Sequence, residues 1–428
     1  MLLVLTLLAV VLLAFNFPIF AVLLLSSLVA LAATSDIPSD IVIQTLFGSI
    51  DKFALMAIPF FIFAASVMDR GGMSKRLIAW VESLFSSFKG GLGLTTVASC
   101  EVFGCISGSS PATVVAVGSL LFPALVNNGY GRSFSLGLVT ASGAIAILIP
   151  PSIAMIIFAT ITNVSVGALF MGGIGAGLAF GACLAAYVLF HAYRHRITSA
   201  GRFQWTRLIE RTRAASWAIG MPALILGGIY SGVFTPTEAA GVSAVYAIAV
   251  AMFVYRELTW RQLVQIAVES AVLTAEIMII IAASGIFAWL LTVSQAQSAL
   301  NQYFASHALH PAMLLLLVNI ILLIAGMFID PNSAQVILIP LLFPVAQAAG
   351  VDPVHFGIIV TLNLAIGMYT PPFGLNLFVS GGLFQASYRE LVVAVMPFIA
   401  VSLVALALIT YVPTISLFIP RIVYGGAW

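Results

Sequence analysis

The chain is written in long apolar runs that are cut by glycine, proline and serine far more often than by charge. Residues 1–33 carry no charged side chain, and neither do 166–193 or 391–420. A helical crossing of the bilayer core takes about 20 apolar residues, so runs of this length read as membrane passes. The pattern predicts passes over 1–15 and 17–31 turning near Asn16-Phe17-Pro18, a segment along the membrane face over 40–49, and a return over 53–68. A hairpin follows over 90–127, turning at Ser107-Gly108-Ser109-Ser110-Pro111. A pass over 133–163 is broken at Pro150-Pro151, and 166–193 returns. After the basic stretch 194–213 the plan starts again, with paired passes over 214–233 and 238–255 and a surface segment over 258–266. A pass over 269–293, a hairpin over 311–350, a pass over 354–384 broken at Pro371-Pro372 and a last pass over 391–419 complete it.

The second half repeats the first in detail as well as in plan. The pairs Val115/Val336, Leu120/Leu341, Leu121/Leu342, Phe122/Phe343, Pro123/Pro344, Gly129/Gly350, Val139/Val360, Thr140/Thr361, Ala144/Ala365, Ile145/Ile366, Pro150/Pro371 and Pro151/Pro372 are identical at one constant offset, with no insertion between them. Interrupted hydrophobic segments at matching places in two halves point to a membrane transport site. The chain divides accordingly into a first repeat (1–193), a linker (194–213) and a second repeat (214–428). An odd number of crossings between the copies inverts the second relative to the first.

Composition and charge sharpen this reading. Hydrophobic residues make up 62% of the chain and charged residues 7%, far from soluble usage, and the net charge of +2 gives no reason to expect nucleic acid. Residues 1–33 are too long for a cleaved leader and lack its basic start, so they read as membrane segments. Cytoplasmic loops collect Lys and Arg. One orientation places every basic residue but Lys52 and Arg421 on the cytoplasmic side, with the first hairpin entering from the cytoplasm and the second from outside. Trp80, Trp205, Trp217 and Trp260 fall near the proposed boundaries as interfacial anchors. Cys100, Cys105 and Cys183 lie in apolar sequence and read as membrane-packed thiols.

Broken backbone at membrane depth must face protein or a water-filled cavity, because lipid cannot hydrogen-bond a bare peptide group. The two hairpin tips and the two Pro-Pro breaks are such places. Proline removes a donor and disfavours helix just before it, which frees carbonyl oxygens near Ile149 and Thr370. Hydroxyls and free carbonyls suit a small hard cation, and the N-termini of half-helices suit an anion. Ser107, Ser109 and Ser110 are either ligands or small residues for close helix packing, and their Gly-Pro context favours ligands. Asp330-Pro331-Asn332 is either a capped turn or part of a cation or substrate site. Glu238, after Thr235-Pro236-Thr237, reads as part of a helix cap. No Lys or Arg falls inside a proposed membrane segment, so an anionic substrate would need co-bound sodium and helix dipoles to offset its charge. A proton relay would need carboxylates or His in series, and Glu101, Glu238, Glu269, Glu276 and Asp330 are scattered. An intramembrane serine hydrolase at Ser109 or Ser110 would lack a His base within any proposed core. A channel would leave the matched hairpins unexplained.

Five stretches together resemble a known family. They are Phe103-Gly104-Cys105-Ile106-Ser107-Gly108-Ser109-Ser110-Pro111-Ala112-Thr113, Ile149-Pro150-Pro151-Ser152, Gly232-Val233-Phe234-Thr235-Pro236-Thr237-Glu238-Ala239-Ala240, Phe328-Ile329-Asp330-Pro331 and Thr370-Pro371-Pro372-Phe373-Gly374-Leu375-Asn376. In this order, and over nearly the whole chain, they resemble the large membrane (M) subunit, DctM-like, of the tripartite ATP-independent periplasmic (TRAP) transporters. The resemblance implies an all-α polytopic membrane protein of the elevator type, similar to the ion-transporter superfamily, with inverted repeats and two re-entrant helical hairpins in a mobile body. It implies sodium-driven import of an organic acid in the bacterial inner membrane, with a periplasmic substrate-binding protein and a separate small four-helix membrane subunit as partners. One sodium site would use Ser107, Gly108, Ser109 and Ser110 with backbone at Gly143 and Pro150. A second would use Gly326 to Asp330 with Thr370, Pro371 and Gly374. Substrate would sit between the tips, near Ser110, Thr113, Asn332 and Asn376. Asn332-Ser333 departs from the smaller apolar residues expected there. The alternative is a stand-alone sodium/carboxylate symporter that needs no binding protein.

Overall fold

The computed structural model describes residues 1–15, 17–34, 38–85, 87–197, 203–296, 298, 302 and 310–425. The described residues are helical with no strand, and seven of their helices are long and apolar enough to cross a membrane. This is the all-α multi-pass protein that the apolar runs predict.

The two halves pack by exchange. In the first half, helices Leu2–Ala14 and Ile19–Thr34 pack together, and Trp205–Tyr230 and Pro236–Ala249 are their counterparts in the second. Pro236–Ala249 packs on Ala57–Arg70 of the first half, while Ile19–Thr34 packs on Trp260–Val293 of the second. The same reciprocity holds around the breaks. The second arm of the first hairpin, Ser110–Asn127, lies on Leu375–Phe384, and the matching arm Pro331–Ala348 lies on Ile153–Thr162. Val166–Arg194 packs on Pro353–Gly367, and Tyr388–Tyr411 on Arg132–Ser142. Two groups of helices result. A scaffold is built on Ala57–Arg70 and Trp260–Val293; a second body holds both hairpins, both broken helices, Val166–Arg194, Tyr388–Tyr411 and Thr414–Tyr424.

Several elements differ from the sequence expectation. Helix Met73–Phe85 falls in a stretch left as loop; its Met73, Leu77, Ile78 and Val81 are buried at helical spacing against the first hairpin and Trp205–Tyr230. The surface segment 258–266 and the pass 269–293 are one unbroken helix, Trp260–Val293, because no Gly or Pro interrupts Ala267-Val268-Glu269. The first half does break at the equivalent place, with Asp51 and Lys52 between Ser39–Ile50 and the 3-10 turn Phe53–Met56. The linker is shorter than its charge suggests, since Trp205–Tyr230 begins inside it. The last pass is two helices, Tyr388–Tyr411 and Thr414–Tyr424, parted at Val412-Pro413. Glu238 joins Thr235 in a capping box at the start of Pro236–Ala249, as the turn sequence predicts.

Close approach of backbones decides where glycine is required. A Cβ on Gly367 would stand 2.6 Å from Gly326 Cα and 2.8 Å from its carbonyl oxygen, so the second hairpin and the second broken helix touch main chain to main chain. Gly382 meets nothing within 4 Å. Gly367→Val is expected to lower stability by about 3 kcal/mol, at the upper end of overpacking costs. Gly382→Ala is expected to be neutral or to gain up to about 1 kcal/mol. Thermal unfolding of the two purified variants side by side checks the contrast.

Candidate functional site

The hairpin tips are built by two different caps. In the first, Gly108 takes a left-handed φ of 56° to end helix Gly91–Ser107, and extended Ser109 then starts Ser110–Asn127 with Pro111 in its first turn. The Ser109 carbonyl accepts from Thr113 N–H at 3.1 Å and from Thr113 Oγ1 at 2.8 Å. In the second, Asp330 caps Pro331–Ala348 by accepting from the N–H groups of Asn332 at 3.0 Å and Ser333 at 3.1 Å. The capped-turn reading of Asp330-Pro331-Asn332 is therefore realised; its carboxylate neutralises the positive end of its own helix.

The breaks lie directly behind the tips. Arg132–Ser142 tightens into a 3-10 turn at Gly143–Ile147 and resumes as Ile153–Thr162, so the change starts about two turns before Pro150-Pro151. Pro353–Gly367 ends well before Leu375–Phe384 begins. Both Pro-Pro bonds, Pro150-Pro151 and Pro371-Pro372, are cis. A Cβ on Gly108 would meet the Pro151 carbonyl oxygen at 2.5 Å, and one on Gly143 would stand 3.3 Å from the Ser110 carbonyl. The first tip is thus seated in the first break, bringing Ser107, Gly108, Ser109 and Ser110 together with Gly143 and the buried Pro150. In the second break Thr370 N–H bonds to Gly367 O at 3.0 Å, and Asn376 N–H bonds to Met368 O at 2.8 Å. Gly374 is packed against Met368 O and Thr370 N, where a Cβ would stand 2.6 and 2.9 Å away. Pro371 follows Thr370 on the half-buried flank of that break.

Asn376 joins the halves. Fully buried, it donates to Ser110 Oγ at 2.7 Å and to the Thr140 carbonyl at 3.2 Å, while Thr140 Oγ1 and Ser380 Oγ share a 2.8 Å bond. It lies behind the first tip, on a helix of the second break.

A cavity of about 480 Å³ lies between both tips and the scaffold. The body contributes Ser107 to Ala112, Asp330, Pro331 and Asn332, with Met368 and Leu375 from the second break. The scaffold contributes Ile62, Ala65, Ser66 and Asp69 from one helix and Leu273, Glu276, Ile277 and Ile280 from the other. Both sets have the spacing of a single helical face. Of the expected substrate residues, Ser110 and Asn332 line this space; Asn376 reaches it only through Ser110. Thr113 is buried, tied to the Ser109 carbonyl, and does not line the space. Gly326 lies away from it, against Gly367.

Buried side-chain atoms without a hydrogen-bond partner occur both around these elements and elsewhere, as at Ser27, Ser74, Ser99, Tyr230, Ser270 and Asn363. Around these elements they include Ser142 Oγ beside the first break, Ser333 Oγ and both amide atoms of Gln335 on the second tip, and Asn376 Oδ1 in the second break. Burying such groups unpaired is costly, so a water or another polar partner is expected beside each; none of these four residues lines the cavity itself. Among the described residues no three His, Cys, Asp or Glu side chains gather as a metal centre. The donors on offer are hydroxyl, amide and carbonyl oxygens, the set that a hard alkali cation prefers.

Sequence reasoning missed two features. His355, in the first turn of Pro353–Gly367, is buried; it meets Ser416 Oγ at 2.6 Å and the Thr410 carbonyl at 3.1 Å. Thr410 Oγ1 accepts from Asn319, whose Oδ1 accepts from Asn363 at 2.7 Å, so a polar chain crosses the second half. No local motif announces it, since its members are distant in sequence. Glu276, set aside as one of several scattered carboxylates, faces the cavity. Its spacing from Leu273, Ile277 and Ile280 is the signal that could have found it.

The chain is similar to known proteins in sequence and in fold. The family model described as "Tripartite ATP-independent periplasmic transporter, DctM component" matches residues 6–415. The C4-dicarboxylate TRAP transporter large permease protein DctM of Rhodobacter capsulatus is 41% identical over 427 residues, covering 95% of each chain. The ectoine TRAP transporter large permease protein TeaC of Halomonas elongata is 38% identical over 380 residues, covering 89% of each. The crystal structure of the Alcanivorax borkumensis YdaH transporter, reported to reveal an unusual topology, shares the fold with a TM-score of 0.64. Identity to it is 15%, over 95% of this chain and 97% of that one.

Replacing Asn376 with Leu leaves Ser110 Oγ and the Thr140 carbonyl without this donor, an expected loss of about 2 kcal/mol. Because the Ser110 bond is shared, Asn376→Leu and Ser110→Ala are expected to be less than additive, by about 1 kcal/mol. Unfolding of the two single variants and the double variant in mixed micelles measures that coupling.

Proposed function

The chain belongs to the DctM component family of the tripartite ATP-independent periplasmic transporters, and from that premise we propose a sodium-coupled large permease subunit that imports an organic acid. It works in a bacterial inner membrane with a small membrane subunit and a periplasmic substrate-binding protein that delivers the solute. The observation that carries this reading is the convergence of both hairpin tips, with the second break beside them, on one cavity against the scaffold.

Sodium has two places in this scheme. One ion is held by Ser107 to Ser110 with carbonyls near Gly143 and Pro150; a second is held by carbonyls from Gly326 to Asp330 with Thr370, Pro371 and Gly374. Ser107 is the last residue of its helix, so its carbonyl has no intrahelical partner and is left available to an ion. Substrate sits between the tips, against Ser110 and Asn332. The unpartnered oxygens of Ser142, Ser333, Gln335 and Asn376 support a polar occupant at these positions. With no Lys or Arg lining the cavity, bound sodium offsets a substrate carboxylate, and this makes coupling part of binding.

Movement follows from the division of the helices. The body with both hairpins slides as a unit along the scaffold and carries cavity contents across the membrane, an elevator motion. The cavity lies near the end of the scaffold where Arg70 pairs with Glu269. The distribution of basic residues assigns that end to the cytoplasm, so the conformation reads as inward-facing.

Proteoliposomes holding the permease, its small subunit and its loaded binding protein test the coupling. An inward sodium gradient is expected to drive accumulation of the delivered acid, and uptake indifferent to sodium would refute it. Ser109→Leu/Ser110→Leu is expected to insert normally and to lose uptake by about 100-fold or more, because the hairpin tip can no longer coordinate.

A further inference from the structure

The scaffold wall of the cavity has a charge that the proposed mechanism does not use. Glu276 lies two turns beyond Glu269 on the same helix, so it stands roughly 10 Å further into the membrane than the Arg70–Glu269 pair. Its neighbours on that face are Leu273, Ile277 and Ile280. Among the described residues no Lys, Arg or His lies within salt-bridge distance of it, and no basic side chain lines the cavity. A carboxylate at this depth is costly, and where one is found it usually faces a pathway and meets a partner there. The protein supplies none, so the partner is sought in what passes through.

The tips are unequal in a complementary way. Asp330 already occupies the positive end of its helix at the second tip. The first tip has only serine hydroxyls and main-chain groups at the start of Ser110–Asn127, and no acidic side chain. An anion therefore finds its favourable end at the first tip, and a cation finds its counter-charge across the cavity at Glu276, with Asp69 on the same wall. A dianion of succinate type would bring its second carboxylate toward this acidic wall.

Resting on the transporter reading above, we propose that the cavity is made for a zwitterion, with its carboxylate at the first tip and a cationic nitrogen facing Glu276. The substrate class is then amino-acid-like, betaine-like or amidinium carboxylates in preference to dicarboxylates.

Thermal stabilisation of the purified full chain tests this, with ectoine and glycine betaine as zwitterionic probes and succinate as the dianion, each with and without sodium. In wild type a zwitterion is expected to stabilise at lower concentration than succinate. Glu276→Gln is expected to weaken that effect about tenfold, the loss of one partly screened ion pair, and to improve succinate. Glu276→Asp is expected to keep part of the preference. Succinate binding ahead of both zwitterions, no response to either zwitterion, or an unchanged preference in Glu276→Gln would each overturn the proposal. Sodium alone is read in the same experiment. A missing sodium effect with the zwitterion preference intact would count against the coupling and leave the role of Glu276 standing.

Discussion

A peptide group that leaves a helix inside a bilayer has no water to turn to, and the architecture is arranged around that constraint. Irregular backbone occurs at 108–109, 143–152, 329–330 and 368–374; 143–152, 368–370 and 374 are buried and 108–109 and 329–330 are at least half-buried, while Pro372 and Phe373 are exposed. The first tip is seated on the Pro151 carbonyl, and the second break folds on itself through the bond from Asn376 N–H to Met368 O. Glycine allows this covering where a side chain would hold two backbones apart, as at Gly326 and Gly367. The same arrangement brings the serines of the first tip and Asp330 and Asn332 of the second to one cavity.

Exchange between the halves fixes where those oxygens meet. Each hairpin lays its second arm on the far half of the other repeat's broken helix, so neither repeat could form its site alone. Asn376 makes the dependence concrete: a residue of the second break holds the hydroxyl of the first tip. That bond ties the first tip directly to the second break, so a displacement of one would have to carry or break the contact with the other.

The sequence made much of this legible, for a physical reason. Membrane passes are long and uniform, so a run such as 166–193 declares itself, and a Pro-Pro pair inside one cannot continue a helix. Duplication at a constant offset doubled each signal, which is why both tips and both breaks were found to within a few residues. What stayed hidden was amphipathic or non-local. Met73–Phe85 buries one face beside a basic one, and its charges disguise it as loop. The contact of Asn376 with Ser110 and the chain from Asn319 to Ser416 join residues that only folding brings together. Glu276 was visible but looked isolated, because its meaning lies in the wall it belongs to.

Division of charge between the two groups of helices bears on how firmly they are joined. Arg70–Glu269 lies within the scaffold and Arg132–Glu390 within the hairpin body, while Arg76–Glu257 and Arg207–Glu82 tie helix Met73–Phe85 to its scaffold side. Such pairs stiffen each unit without joining the two. A side-chain bond that does cross is Lys52 Nζ to the Thr160 carbonyl, 2.6 Å, at the C-terminal end of Ile153–Thr162 where helix carbonyls lack partners. Partial burial lowers the Lys52 ammonium from its usual range, so the contact costs desolvation on both sides and its net value stays small. A contact of such small net value adds little to the hold between the two groups, whose facing surfaces also carry Ser66, Asp69 and Glu276 at the cavity.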